Sequence, residues 1–339
     1  MAYTTIDDPS AYFQTKIYAG TDASPQAFTL DGNSDLQPDW VWIKNRGYAN
    51  KHVLFDSVRG VEESLTTNNN AGEVNQNADG GYLSAFNSDG FTLTEGSSSD
   101  NDTNDNRYTY VAWNWKETAD AGFDIVSYTG SGSAKTVAHN LGVKPDVIIC
   151  KSRSGAEEWR PYFSALGATF GMRFNDTNAK DDDAGYWNDV EPTSSVFTVG
   201  TNAGTNGDGV TFIAYCFSAK QGYSHFGSYT GNANAEGPFI YTGFRPAFFI
   251  YKSSTTGGEE WKILDNKRDP INRGSQRNLN VHTNTAESDD ANSIGEFVSN
   301  GVKIRSAHNN INKSGDKFIY LAFAENPLVT SKGIPATAR

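Results

Sequence analysis

Cysteine and methionine are nearly missing from this 339-residue chain, which has two of each. Two thiols exclude a disulfide-stapled scaffold and a cysteine-built metal centre. Cys150 and Cys216 sit inside apolar, strand-like runs, so they read as buried free thiols, with a facultative disulfide as the alternative. Positive charge is also short: 28 Lys and Arg stand against 40 Asp and Glu, a net charge of −12. No basic stripe occurs, which argues against nucleic-acid binding, because that needs cations to displace phosphate counterions. No apolar run reaches the roughly 18 residues of a membrane span, so no membrane insertion is expected. The opening MAYTTIDDPSAYF has neither the basic nor the apolar region of a secretory signal. Sustained helical periodicity is missing as well, leaving period-2 and short continuous apolar runs.

What the chain does contain is one pattern written three times. PDWVWIK at 38–44, PDVIICK at 145–151 and PAFFIYK at 246–252 each run from proline through five mostly apolar residues to lysine. A second cassette closes each unit: NDNRYTYVAWNW from Asn104, NGDGVTFIAYCF from Asn206 and NKSGDKFIYLAF from Asn312. Each unit opens on an aromatic and a glycine, Tyr18 with Gly20, Tyr128 with Gly130 and Tyr229 with Gly231. Asn/Thr-rich stretches carry Asn70, Asn178 and Asn284 at corresponding places. A period of about 100 residues is too long for a propeller blade and suits a self-contained domain.

With 33 glycines, frequent Asp-Gly and Asn-Gly turns and 13% aromatics, the expected fold is all-β. The reading is three tandem antiparallel β-sandwich repeats of about 100 residues, jelly-roll or lectin-like. They span residues 13–117, 123–219 and 223–326, between an N-terminal arm at 1–12 and a C-terminal arm at 327–339. Short linkers suggest closely packed beads. The arms lack a core pattern, which predicts disorder in a monomer or a grip on a neighbour in an assembly.

Side chains alternate across a strand. In the closing cassette Val111, Trp113 and Trp115, and their counterparts Ile213, Tyr215, Phe217 and Ile319, Leu321, Phe323, therefore mark the core face. The opposite face, with Ala112 and Asn114, reads as half-covered. The proline strand is apolar on both faces, and a two-layer sandwich needs only one. A loop, a neighbouring unit or another subunit must cover the second; cover by a subunit implies a homo-oligomer, most simply a trimer.

Candidate chemistry is sparse. The five histidines do not recur between units, and no nucleophile elbow, zinc motif or phosphate loop is present. Asp100, Asp102 and Asn104 place oxygens at alternate positions, as calcium loops do. Asp105 and Val111, however, occupy the positions where an EF-hand has glycine and glutamate, so a hydrophilic turn is the alternative. No cofactor is expected. The recurring polar positions are Lys44, Lys151 and Lys252, with Arg153 beside the second, and Trp159 and Trp261 following the last two. Lys151, Arg153, Trp159, Lys252 and Trp261 describe a groove in which indoles stack on sugar faces and cations bind hydroxyls. The alternative is a strand-end lysine whose stem packs on tryptophan while its amine reaches water.

The combination SYTG, LGVKPDVIICK, PTSSVFTVG and NGDGVTFIAYCF, followed by GPFIYTGFRPAFFIYK and FIYLAFAENP, resembles a repeated domain of marine bacteriophage virion proteins, tail-fibre-like or lectin-like. The resemblance runs over about 11–327 and is closest in the last two units. It implies a non-enzymatic protein on the phage particle surface, tail or capsid, made in the host cytoplasm. Its partners would be other virion proteins and host cell-surface polysaccharide, and its role adsorption or, alternatively, architectural decoration. A depolymerase acting on host polysaccharide is a third reading. The resemblance supplies no site residues.

Overall fold

The computed structural model describes residues 2–76, 80–95, 102–272 and 274–337. It is all-β and β-sandwich-like, with only single-turn helices between antiparallel sheets among the described residues. Three large sheets share one order. An opening strand (Phe13–Ala19, Phe123–Thr129, Ser224–Thr230) pairs with the closing strand (Thr109–Trp115, Thr211–Phe217, Lys317–Pro327). The closing strand pairs with the proline strand (Trp40–Asn45, Val147–Ser152, Phe244–Ser253), and that with a hairpin partner (His52–Asp56, Arg160–Phe163, Lys262–Asp265). The registers correspond: Trp40 faces Trp115, Val147 faces Phe217 and Phe248 faces Phe323. The first and third sheets continue to six strands, while the middle one stops at four. A small sheet of two or three strands accompanies each.

The two faces of each large sheet meet different neighbours. One face packs on its own small sheet, as Tyr18, Val41, Ile43 and Tyr110 do against Phe28, Leu83 and Phe91. The other face joins a single core shared by all three segments. There Trp40, Trp113 and Trp115 meet Ile149, Tyr215 and Phe217, and these meet Phe248, Leu321 and Phe323. Trp40 stacks on Tyr215 at 4.5 Å between centroids, and Phe217 packs on Phe323 at 5.8 Å. The void at the centre measures only about 10 Å³. Each fully buried side chain of this size contributes about 1.5–3 kcal/mol.

This corrects one expectation and selects among the alternatives of another. The closing strand has no half-covered face: Ala112, Asn114, Ala214 and Cys216 are all fully buried. Alternation within one strand identifies two faces but not how many layers lie beyond them. The doubly apolar proline strand is covered by neighbouring segments of the same chain, so its composition gives no reason to invoke another subunit. The segments are also more intimate than beads, because they have one core in common.

The opening turns explain the recurring Tyr and Gly. Tyr18, Tyr128 and Tyr229 each donate a hydroxyl to a backbone carbonyl, at Thr103, Thr205 and Ile311, over 2.6–2.8 Å. Each ring stacks on the closing strand, on Tyr110, Phe212 or Phe318. A Cβ on Gly130 would lie 2.2 Å from the Gly207 carbonyl oxygen, so the turn closes only around glycine. The buried asparagines that begin each closing cassette hold the same turns. Asn206 accepts from Ser131 N and donates to Ser133 O and Gly200 O; Asn312 accepts from Asn232 N and donates to Asn234 O and Ser306 O.

Neither terminal segment extends away from the fold. Tyr3 donates to Gly243 O at 2.6 Å, Thr4 to Gln221 O at 2.7 Å, and Ile6 enters the shared core. Ser331 donates through its amide and hydroxyl to Asp7.

Candidate functional site

The recurring polar residues lie at the junctions between segments, and their roles follow a cyclic order. Lys151 is fully buried, and its amine donates to the carbonyls of Ser152, Gly155 and, from the first segment, Asn70 at 3.2 Å. Lys44 does the same with Asn45, Tyr48 and, from the third segment, Asn284 at 3.2 Å. Lys252, also fully buried, donates to Ser253 O at 2.8 Å. Burial pushes Lys44 down to about 7 and Lys151 and Lys252 down to about 8. The expected amine in water is therefore not found: each stem is buried, and each head is turned to backbone oxygen.

Tryptophan has a matching task. Trp159 donates its indole N–H to Thr66 O, and Trp261 donates to Arg173 O, both at 2.8 Å and both across a junction. Both rings are fully buried. In the first segment His52 stands at this position and accepts from Trp42 Nε1 at 2.9 Å. Arg153 forms a two-pronged pair with Glu73 of the first segment, and Arg46 an equivalent pair with Glu287 of the third. The backbone bonds Glu73 N to Arg153 O, Glu287 N to Arg46 O and Lys180 N to Ser254 O recur at all three junctions. Lys151, Arg153, Trp159, Lys252 and Trp261 are thus brought to the seams, with protein groups as their partners.

Two junctions hold a further buried network. Asp56 pairs with Arg59 and accepts from Tyr215 of the second segment at 2.7 Å. Asp265 pairs with Arg268 and accepts from Trp113 of the first segment at 3.1 Å. At the corresponding register of the middle sheet the residue is Phe163, which faces Val147 as Asp56 faces Trp40. Phe163 and Leu321 belong to the shared core, and partly buried Leu166 packs against it. The same seam is ionic in two places and apolar in the third.

Of the calcium candidates, Asp100 lies outside the described residues. Asp102 is buried, 3.8 Å from Lys51, and Asn104 binds the opening turn through Thr21 N and Ala23 O. No group of three or more His, Cys, Asp or Glu among the described residues is placed to hold a metal. Cys150 and Cys216 are free and fully buried in the middle segment. Burial pushes the Cys150 thiol up to about 12, and its sulfur lies 3.0 Å from Tyr128 Oη.

Surface features fall where the segments differ. A cleft of about 310 Å³ opens between the first and third segments, beside Phe13, Asn33, Ala247, Asn266, Lys267 and Asn326. An open depression of about 350 Å³ follows the same seam at Arg46, Thr109, Arg277 and Asp289. Exposed aromatics form two groups, Tyr48 stacked on Tyr108, and Phe239 with Tyr241 on one edge strand. Sequence comparison between units gives no signal for Asn33, Asn266, Asn326, Tyr48, Phe239 or Tyr241, because none of these recurs.

A family profile described as "Domain of unknown function (DUF7483)" matches residues 8–327. The chain belongs to the DUF7483 family. The DUF7483 match spans the residues of all three large sheets. No curated protein matches the chain, and no solved structure does.

Proposed function

We propose that this DUF7483 chain is a non-enzymatic surface protein of a bacteriophage particle, a tail-fibre or adsorption appendage that contacts host-surface glycans. In this reading it consists of three tandem antiparallel β-sandwich repeats at 13–117, 123–219 and 223–326. One observation carries the functional part. The polar residues that recur, Lys44, Lys151 and Lys252, are buried against backbone carbonyls, whereas exposed aromatics such as Tyr48, Phe239 and Tyr241 occur in one segment each. Recurring residues build the scaffold, and recognition is left to surfaces that differ. The resemblance of its motifs to phage virion proteins supplies the context, and other virion proteins are the partners in this reading. A trimer of the chain, if formed, would use surfaces other than the covered proline strand.

Architectural decoration is the second reading. It is favoured by the closed, cross-linked seams, which suit a rigid cementing unit. Immunogold microscopy of intact particles tests the shared premise: labelling of capsid or tail is expected, and unlabelled particles refute it. Particles lacking the protein then separate the readings. Loss of host adsorption supports recognition, whereas normal adsorption with reduced particle stability supports decoration.

A further inference from the structure

We propose that the cleft between the first and third segments binds a neutral pyranose, an assignment that rests on the glycan-contact reading above and locates its site. At about 310 Å³ it falls at the small end of the roughly 300–1,000 Å³ range of ligand pockets, enough for one or two sugar rings. Its apolar base is Phe13, Ala247 and Ala324, all at least nine-tenths buried. A hydrophobic base suits the C–H face of a sugar ring.

The polar lining specifies the rest. Asn33, Asn266 and Asn326 come from three separate stretches of chain and converge on the cleft. Among the described residues no protein group engages their carboxamides, unlike that of neighbouring Gln14, which donates to Ser10 O and Ser34 O and accepts from Gly32 N. A carboxamide both donates and accepts, as a sugar hydroxyl does, so three free carboxamides match a polyhydroxylated ring. Open to solvent, they can exchange water for ligand hydroxyls with similar bonds.

The ion pairs at the rim weigh against an anionic ligand. Asp31 is bridged by Lys16 at 3.3 Å and Lys267 at 3.1 Å, and Glu325 is paired with Arg245. Each cation at the rim already faces a carboxylate, although Lys16 and Lys267 share Asp31, so a phosphate or uronate ligand would have to compete with Asp31 or Glu325 for it. A neutral sugar fits without breaking these pairs.

The test uses the full chain with glucose, galactose, mannose, N-acetylglucosamine and glucuronate as probes. At about 50 mM, at least one neutral sugar is expected to shift the side-chain amide resonances of Asn33, Asn266 and Asn326, with weak, millimolar affinity. Asn266→Ala with Asn326→Ala is expected to weaken binding about ten-fold or more. Both side chains are partly exposed, so an unchanged melting temperature is expected to accompany the loss. Three results overturn the assignment: no neutral sugar moves these resonances, a bound sugar is unaffected by the double variant, or glucuronate binds better than the neutral sugars. An array of bacterial polysaccharides separates this failure from that of the broader reading. Equal capture of native and double-variant chains refutes only the cleft, and capture of neither refutes glycan contact altogether.

Discussion

The ionic seam between the first two segments offers its own control, because the third seam solves the same packing problem without charge. Asp56 and Arg59 are both fully buried, and Arg59 also donates to Leu54 O at 2.9 Å and Glu63 O at 3.1 Å. Arg59→Leu would strand the Asp56 carboxylate with only the Tyr215 hydroxyl as a side-chain partner. Breaking a buried pair in this way costs about 3–5 kcal/mol. At roughly 2 cal/mol/K of unfolding entropy per residue, a chain of this length unfolding as one unit would melt about 4–7 °C lower. The triple variant Asp56→Phe, Arg59→Leu, Tyr215→Leu installs the apolar set found as Phe163, Leu166 and Leu321. It should recover most of the loss, since replacing a complete buried ion pair by packed apolar groups is often neutral or stabilising. Urea and thermal unfolding of the single and triple variants would measure both values. A cost below about 1 kcal/mol for Arg59→Leu, or a triple variant no more stable than the single, would refute the reasoning.

Three further outcomes follow from the junctions and turns. Gly130→Ala should cost more than about 2 kcal/mol, because its Cβ meets a carbonyl oxygen, while Gly142→Ala should cost only about 1 kcal/mol, because its Cβ meets open space at φ +70°; similar values from denaturation would contradict this. The buried lysines hold pKa values below that of a free lysine, so between about pH 8 and 10 the unfolded chain binds more protons and stability from these groups rises with pH. Lys151→Met should flatten that rise in urea midpoints; an unchanged pH slope would mean that the carbonyls of Asn70, Ser152 and Gly155 keep the native proton. Cys150 and Cys216 should resist iodoacetamide in the folded chain and react only on unfolding, as mass spectrometry would show; fast native labelling of either would contradict their burial.

Much of the fold is legible in local pattern, and the remainder depends on distance along the chain. Alternation places Val111, Trp113 and Trp115 on one face because period 2 is a property of a single strand. The second buried face of the same strand is invisible at that level, since a layer contributed by remote residues leaves no mark on the strand itself. Lysine recurrence identifies Lys44 and Lys151 as scaffold positions. Their acceptors are Asn284 and Asn70, 240 and 81 residues away, so the destination of the amine cannot be inferred from neighbouring residues. Trp159 and Trp261 read as sugar platforms because an indole beside cations fits that chemistry; closure of the seam takes the same ring into the interior. His52 at the corresponding place hides the third occurrence. The cleft residues Asn33, Asn266 and Asn326 carry no periodic signal and become a set only when the first and third segments meet.

The cyclic order of the junctions has a consequence for pieces of this chain. Each segment offers an acceptor stretch, such as the one around Asn70, and a lysine-bearing face, such as the one around Lys151. With three segments every such face is occupied and the ring is saturated. A head-to-tail contact of this kind closes or propagates, depending on how many members it joins. One or two segments expressed alone would carry an unsatisfied face at each end, with the apolar wall of the shared core bare between them. Single segments would be expected to close into threes, whereas two-segment pieces, which cannot sum to three, would be expected to propagate end to end. The peptide links between segments therefore act as the chain stopper, fixing a valence that the surfaces alone leave open.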